Sequence, residues 1–160
     1  MDLGPHVRCR DDAHMETARH PVTRRVLLAV DQRTAAKGSV EEAIRLAALE
    51  HADLIVLSVL ETSNLHLPGG LKRRVDQERD RLETGARAIV SRARDAGVTA
   101  TYLIWEGDPA ETILEASYAE GADVIVLGSR PRTDFRRLLL GSVSDYVTRT
   151  ASCRVIVVPT

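Results

Sequence analysis

The residues with the clearest chemical potential lie between Gly128 and Ser144. They run Gly128-Ser129-Arg130-Pro131-Arg132-Thr133-Asp134, then Phe135-Arg136-Arg137 and three leucines, and end in Gly141-Ser142-Val143-Ser144. Glycine lets a backbone approach a ligand closely, and a Gly-Ser pair opening a helix presents N–H groups at the positive end of the helix dipole. That combination is an anion site, to which the Ser142 and Ser144 hydroxyls add donors. Arg130, Arg132, Arg136 and Arg137 surround Asp134 and suit a polyphosphate or an acidic partner. The same residues also read as a helix cap followed by a solvated basic loop, and spacing alone leaves both open. Asp31 follows an apolar run and offers an acceptor for ribose hydroxyls or an adenine amino group. Its plainer role is to cap the next turn.

These groups can meet only if the chain builds a sheet that brings strand ends together. Val26–Val30, Leu54–Leu60, Val124–Leu127 and Val155–Val158 are short apolar runs, and Thr99–Trp105 is β-branched and aromatic enough for a fifth strand. Fully apolar runs predict strands buried on both faces of a parallel sheet. Helices fill the gaps. Ser39 with Glu42 predicts a capping box for the first. Val75, Leu82, Ala86, Ile89, Val90 and Ala93 form the stripe of the second, which Gly97 stops. Asp108-Pro109 supplies an N-cap and first-turn proline for the third, with Ile113, Leu114 and Ser117 on one face. Ser142 with Asp145 caps the fourth, where Val143, Val147 and Ala151 share a face. Right-handed crossovers put helices on both sides of the sheet. In such sheets ligands bind beyond the carboxyl ends, where strand order reverses. Asp31, Ser58-Val59 and Gly128-Ser129-Arg130 all fall at strand ends.

Bulk properties narrow the classes. A chain of 160 residues with 44% hydrophobic and 28% charged content fits one globular domain. Aromatics are only 3%, so Val, Ile, Leu and Ala must build the core. The net charge of −1 gives no general attraction to nucleic acid or an anionic membrane. No apolar run approaches the ~18 residues of a membrane span, and the start of the chain lacks a signal-peptide core. Cys9 and Cys153 form no disulfide framework, Cys153 reads as an inert core thiol, and the expected compartment is the cytoplasm. Residues 1–23, with Gly4, Pro5 and Pro21 and no periodicity, are expected to form a disordered N-terminal tail ahead of a domain at 24–160. His6, His14, His20 and Cys9 match no metal-ligand spacing, so no metal site is assigned. Residues 62–71 form a Pro- and Gly-containing connection, read as a surface loop before a lid.

With these residues in place, the chain resembles the universal stress protein family. Gly128, two residues, position 131, nine residues and Gly141-Ser142 reproduce the spacing of that family's ATP motif, in which position 131 is glycine. Leu27-Leu28-Ala29-Val30-Asp31 resembles its first strand and adenosine-contacting Asp. Leu57-Ser58-Val59 resembles its second strand, which commonly carries a His-Val pair. Glu106-Gly107-Asp108-Pro109, Asp123–Ser129 and Ser152–Pro159 extend the likeness over residues 24–159.

The resemblance implies a Rossmann-like α/β fold, an open five-stranded parallel sheet of order 3-2-1-4-5 with helices on both faces. It also implies a homodimer joined through the last strand and a regulatory role in stress response. The implied ligand is ATP, with or without Mg2+. Adenosine contacts would fall on Ala29, Val30, Asp31, Val59 and Leu127. Phosphate and ribose contacts would fall on Gly128, Arg130, Gly141, Ser142, Val143 and Ser144.

Two departures stand out. Pro131 replaces the motif's second glycine, and proline has neither an N–H for a phosphate nor access to positive φ. Gln32-Arg33 replaces the Gly-Ser that usually follows the aspartate. No Walker-type lysine and no Ser/His/Asp set is present, so no catalytic residues are assigned and turnover beyond slow ATP hydrolysis is not expected. The sequence leaves two readings: an ATP-binding stress-response dimer, or a nucleotide-independent scaffold whose phosphate cradle was lost through Pro131.

Overall fold

The computed structural model describes residues 23–31, 37–61, 71–129 and 142–159. Strand and helix alternate: β1 (Arg25–Val30), α1 (Lys37–Glu50), β2 (Asp53–Leu60), α2 (Leu71–Asp95), β3 (Ala100–Glu106), α3 (Pro109–Ala119), β4 (Val124–Ser129), α4 (Ser142–Thr150) and β5 (Arg154–Pro159). All pairings are parallel, and the sheet order is β3-β2-β1-β4-β5. The expected fold class and strand order are those observed. The expected tail, with His6, Cys9, His14 and His20, lies outside the described residues apart from Thr23, which is buried. The connection at 62–70 lies outside them as well.

The period of two along each strand divides the core into two layers. Val26, Leu28, Leu54, Val56, Val124 and Val126 face α1 and α2, where Val40, Ala43, Ala86 and Ile89 meet them. Leu27, Ile55, Leu57, Ile125 and Leu127 face α3 and α4, against Ile113, Ala116 and Val147. Each fully buried Leu, Ile or Val contributes about 1.5–3 kcal/mol, so the central strands β1, β2 and β4 anchor the domain.

Burial on both faces holds for those central strands and fails for β5. There Val155, Ile156, Val157 and Val158 are only half-buried, because β5 ends the sheet and each helix layer thins toward its edge. Cys153, expected in the core, is likewise half-buried beside it; partial burial still pushes its thiol pKa up.

Local signals set most helix ends. Gly97 at φ 79° follows α2 in the left-handed conformation that stops a helix. Asp108 caps α3, accepting hydrogen bonds from the N–H groups of Ala110 (3.0 Å) and Glu111 (3.2 Å), with Pro109 in the first turn. Two caps differ from expectation. α1 begins at Lys37, so Ser39 sits inside the first turn, buried, and Glu42 pairs forward with Arg45 at 2.7 Å. In α4, Asp145 pairs forward with Arg149 through two contacts of 3.1 Å. In both cases an arginine three or four residues ahead captures the carboxylate expected to reach back.

At the amino end of the sheet, Asp123 ties β4 to β1. Its carboxylate accepts the Arg24 and Arg25 N–H groups at 2.8 and 3.0 Å, while its own N–H donates to the Arg25 carbonyl at 3.0 Å. Among the described residues no helix is long and apolar enough to cross a membrane.

Candidate nucleotide site

The site follows from the crossovers. β1 passes through α1 to β2 on one side, and β4 passes through α4 to β5 on the other, so the order reverses between β1 and β4. The last β1–β4 pair is Ala29 with Leu127. β1 nevertheless continues beside β2 to Val30–Ser58, and β4 beside β5 to Ser129–Pro159. The two central strands therefore part at their carboxyl ends. Asp31 and Gly128 stand on opposite lips of the gap, Asp31 exposed and Gly128 half-buried. α4 must return the chain from the carboxyl end of β4 to the amino end of β5, so its first turn opens at this same edge.

The expected site residues distribute around the gap. Ala29, Val30, Val59 and Leu127 supply apolar surface: Leu127 is buried, the others half-buried. Ala29, Val59 and Leu127 lie on the α3–α4 face and Val30 on the α1–α2 face. Val143 is half-buried in the α3–α4 layer, and Ser144 is buried in the first turn of α4, its carbonyl accepting the Thr148 hydroxyl at 2.6 Å. Ser142 begins α4. Arg130 and Gly141 lie outside the described residues, as do Pro131 and the arginines at 132, 136 and 137. No group of three or more metal-ligating side chains occurs among the described residues.

One residue at this edge was placed at a strand end by the sequence but given no role. Ser58 is fully buried, and among the described residues its Oγ has no hydrogen-bond partner. It shares a strand face with Leu54 and Val56, pairs with Val30 and Ile104, and breaks an otherwise apolar strand one residue before Val59. An orphaned buried hydroxyl costs about 1–3 kcal/mol. The single polar residue inside Leu54–Leu60 was the available signal.

A doubly wound parallel sheet parted at its switch point, with an acidic side chain on one lip and a glycine on the other, is a Rossmann-like α/β domain, a class whose ligands bind at the strand ends. Comparison narrows the class: the universal stress protein family model matches residues 23–159, and the chain belongs to that family. A universal stress protein from Thermus aquaticus is 36% identical over 138 residues, covering 83% of this chain and 96% of the relative. The solved UspA of Lactobacillus plantarum superposes with a TM-score of 0.75 at 28% identity, covering 85% of this chain and 97% of that one. Two further universal stress protein structures share the fold. One in complex with cAMP has a TM-score of 0.63 at 23% identity, covering 87% and 98% of the two chains. One from Archaeoglobus fulgidus in complex with dAMP has a TM-score of 0.64 at 22% identity, covering 85% and 98%.

Proposed function

We propose that this protein is a regulatory module that binds ATP, with or without Mg2+, in the gap between β1 and β4 and acts in stress response as a cytoplasmic homodimer. One observation carries the reading: Asp31, Gly128 and the first turn of α4 open onto one edge of the sheet, where β1 and β4 separate after Ala29 and Leu127. The cAMP and dAMP complexes of family members support an adenine nucleotide as the ligand.

The donor set fits that group. Asp31 accepts hydrogen bonds from ribose hydroxyls or the adenine amino group, and Ala29, Val30, Val59 and Leu127 supply apolar surface for the base. Gly128 permits close backbone approach, and the N–H groups of Ser142, Val143 and Ser144 face phosphate at the positive end of α4. Arg130 and Gly141 complete the phosphate side. The half-buried edge strand β5 supports pairing between copies. No catalytic residue is assigned. We take residues 24–160 as the domain.

A second reading rests on Pro131. Where the family motif has glycine, this chain offers no N–H, and a nucleotide-independent dimer acting through protein contacts follows if that loss abolishes binding. Calorimetric titration with ATP, with and without Mg2+, separates the two. Heat of binding with a thermal shift supports the first reading. Neither signal at millimolar ATP overturns it in favour of the second.

A further inference from the structure

The second sheet edge, β3, lies on the far side of the sheet from β5. The Leu54 N–H donates to the Thr99 carbonyl at 2.9 Å, and the Gly107 N–H to the Leu60 carbonyl at 3.1 Å. The odd-numbered residues of β3 therefore turn their backbone toward β2. The alternation of a parallel ladder then aims the N–H and C=O groups of Tyr102 and Ile104 outward.

Natural edge strands are guarded by charges, proline or brevity. β5 carries Arg154 at its start and Pro159 at its end. β3 is guarded less: its one charge is Glu106 at the carboxyl end, and Thr101-Tyr102-Leu103-Ile104-Trp105 carries neither charge nor proline. α2 covers one face of β3, where Arg87, Val90, Ser91, Arg94, Asp95 and Tyr102 line a groove. On the other face Leu103 and Trp105 reach the margin of the α3–α4 layer and stay half-buried, and Thr101 is exposed. The one tryptophan of the chain thus stands on an edge charged at its two ends and uncharged between them.

We propose that this edge docks a second copy of the chain, antiparallel, about a two-fold axis at Leu103. The charge pattern selects this occupant. The amino end of β3 holds Arg94, whose guanidinium donates to the Ala100 carbonyl at 2.9 Å, and the carboxyl end holds Glu106, paired with Arg79. An antiparallel copy sets Ala100 against Glu106 of the second copy, so Arg94 meets an acidic end, and two-fold symmetry repeats the contact. An extended acidic peptide would meet Glu106 with like charge.

In this register Tyr102 and Ile104 exchange both backbone hydrogen bonds with Ile104 and Tyr102 of the second copy. Leu103 faces Leu103, and Trp105 faces Thr101. α2 packs across β2 and β3, so the two α2 helices come roughly two strand spacings apart, ~10 Å, the separation of packed helices. The contact uses the opposite edge from β5 and is independent of nucleotide.

Residues facing each other across a non-hydrogen-bonded antiparallel pair have Cα atoms about 4.5 Å apart, within reach of a disulfide. The test uses the full chain with Cys9→Ser and Cys153→Ser, carrying Leu103→Cys, or Glu115→Cys on exposed α3 as control. Mild oxidation should convert most Leu103→Cys chains to a covalent dimer and leave the control largely monomeric. Adding Thr101→Lys, at an exposed position the fold tolerates, should suppress the cross-link. In the natural sequence, Trp105 emission should shift to the blue with rising concentration, and Thr101→Lys should abolish the shift. Equal cross-linking of Leu103→Cys and Glu115→Cys, with Trp105 emission independent of concentration, overturns the proposal. So does a dimer that cross-links through Ile156→Cys on β5 while folded Leu103→Cys chains remain free thiols. The emission measurement decides the matter if Leu103→Cys impairs folding.

Discussion

Gly107 and Thr112 stand so close that a β-carbon on the glycine would lie 2.7 Å from the threonine Oγ1. Gly107 also adopts φ 146°, a conformation disfavoured for side-chain-bearing residues, and Thr112 is buried in the first turns of α3. The glycine therefore sets the tight passage from β3 into α3. Gly107→Ala should destabilise the domain by about 1–3 kcal/mol, read by urea unfolding. Adding Thr112→Ser, which keeps the hydroxyl, should recover little. A Gly107→Ala protein of unchanged stability would contradict this account of the turn.

Ser58 carries the opposite expectation. Its buried Oγ lacks a partner among the described residues, so removing it deletes a desolvated group and breaks no hydrogen bond there. Ser58→Ala should leave stability within about 1 kcal/mol of the natural protein, on the stabilising side. A loss greater than that would mean the hydroxyl is satisfied, as by a tightly held water.

Acid should reach the α2–β3 contact through Glu83. Its carboxylate accepts the Tyr102 hydroxyl at 2.7 Å and the Arg87 guanidinium at 2.6 Å, and these bonds lower its pKa from the ordinary glutamate value. A carboxylate whose folded pKa is depressed adds stability above its unfolded pKa and loses it as pH falls through the folded one. The stability gap between the natural protein and Glu83→Gln should therefore be full at neutral pH and close from the ordinary glutamate range downward. Unfolding curves across that range measure it, and a gap that widens toward acid would reverse the sign argued here.

Pro131 offers the sharpest test of the proposed ligand. Restoring glycine returns an N–H at a position where the family motif has one. Pro131→Gly should tighten ATP binding by about one to two orders of magnitude, measured by calorimetry. Unchanged or weaker affinity would remove the missing donor as the reason this motif departs from its family.

Much of this architecture was legible because burial writes itself into strand composition. The apolar runs at β1, β2 and β4 marked the centre of the sheet, and the period of α2 survived its many charges. Thr99–Trp105 gave a weaker signal for a physical reason: an edge strand is covered on less of its surface. The same reason left β5 and Cys153 half-buried where a core was expected. Caps were harder to read, since Glu42 and Asp145 had arginines ahead that competed for them. For the site, strand composition placed Asp31 and Gly128 at strand ends, and the strand order that makes those ends neighbours came from the family resemblance. Ser58 was placed at a strand end but its hydroxyl was given no role, because a buried serine acquires meaning only when its partners are counted in three dimensions.

Asp123 and the parting of β1 from β4 have a joint mechanical consequence. The two central strands are stapled at one end and unjoined at the other, like the arms of tweezers. Each arm carries its own flank of sheet, β2 and β3 on one side and β5 on the other. Under the proposed reading, a molecule held between Asp31 and Gly128 would touch both arms far from the staple, where a small change in its size would have the most leverage on their spread.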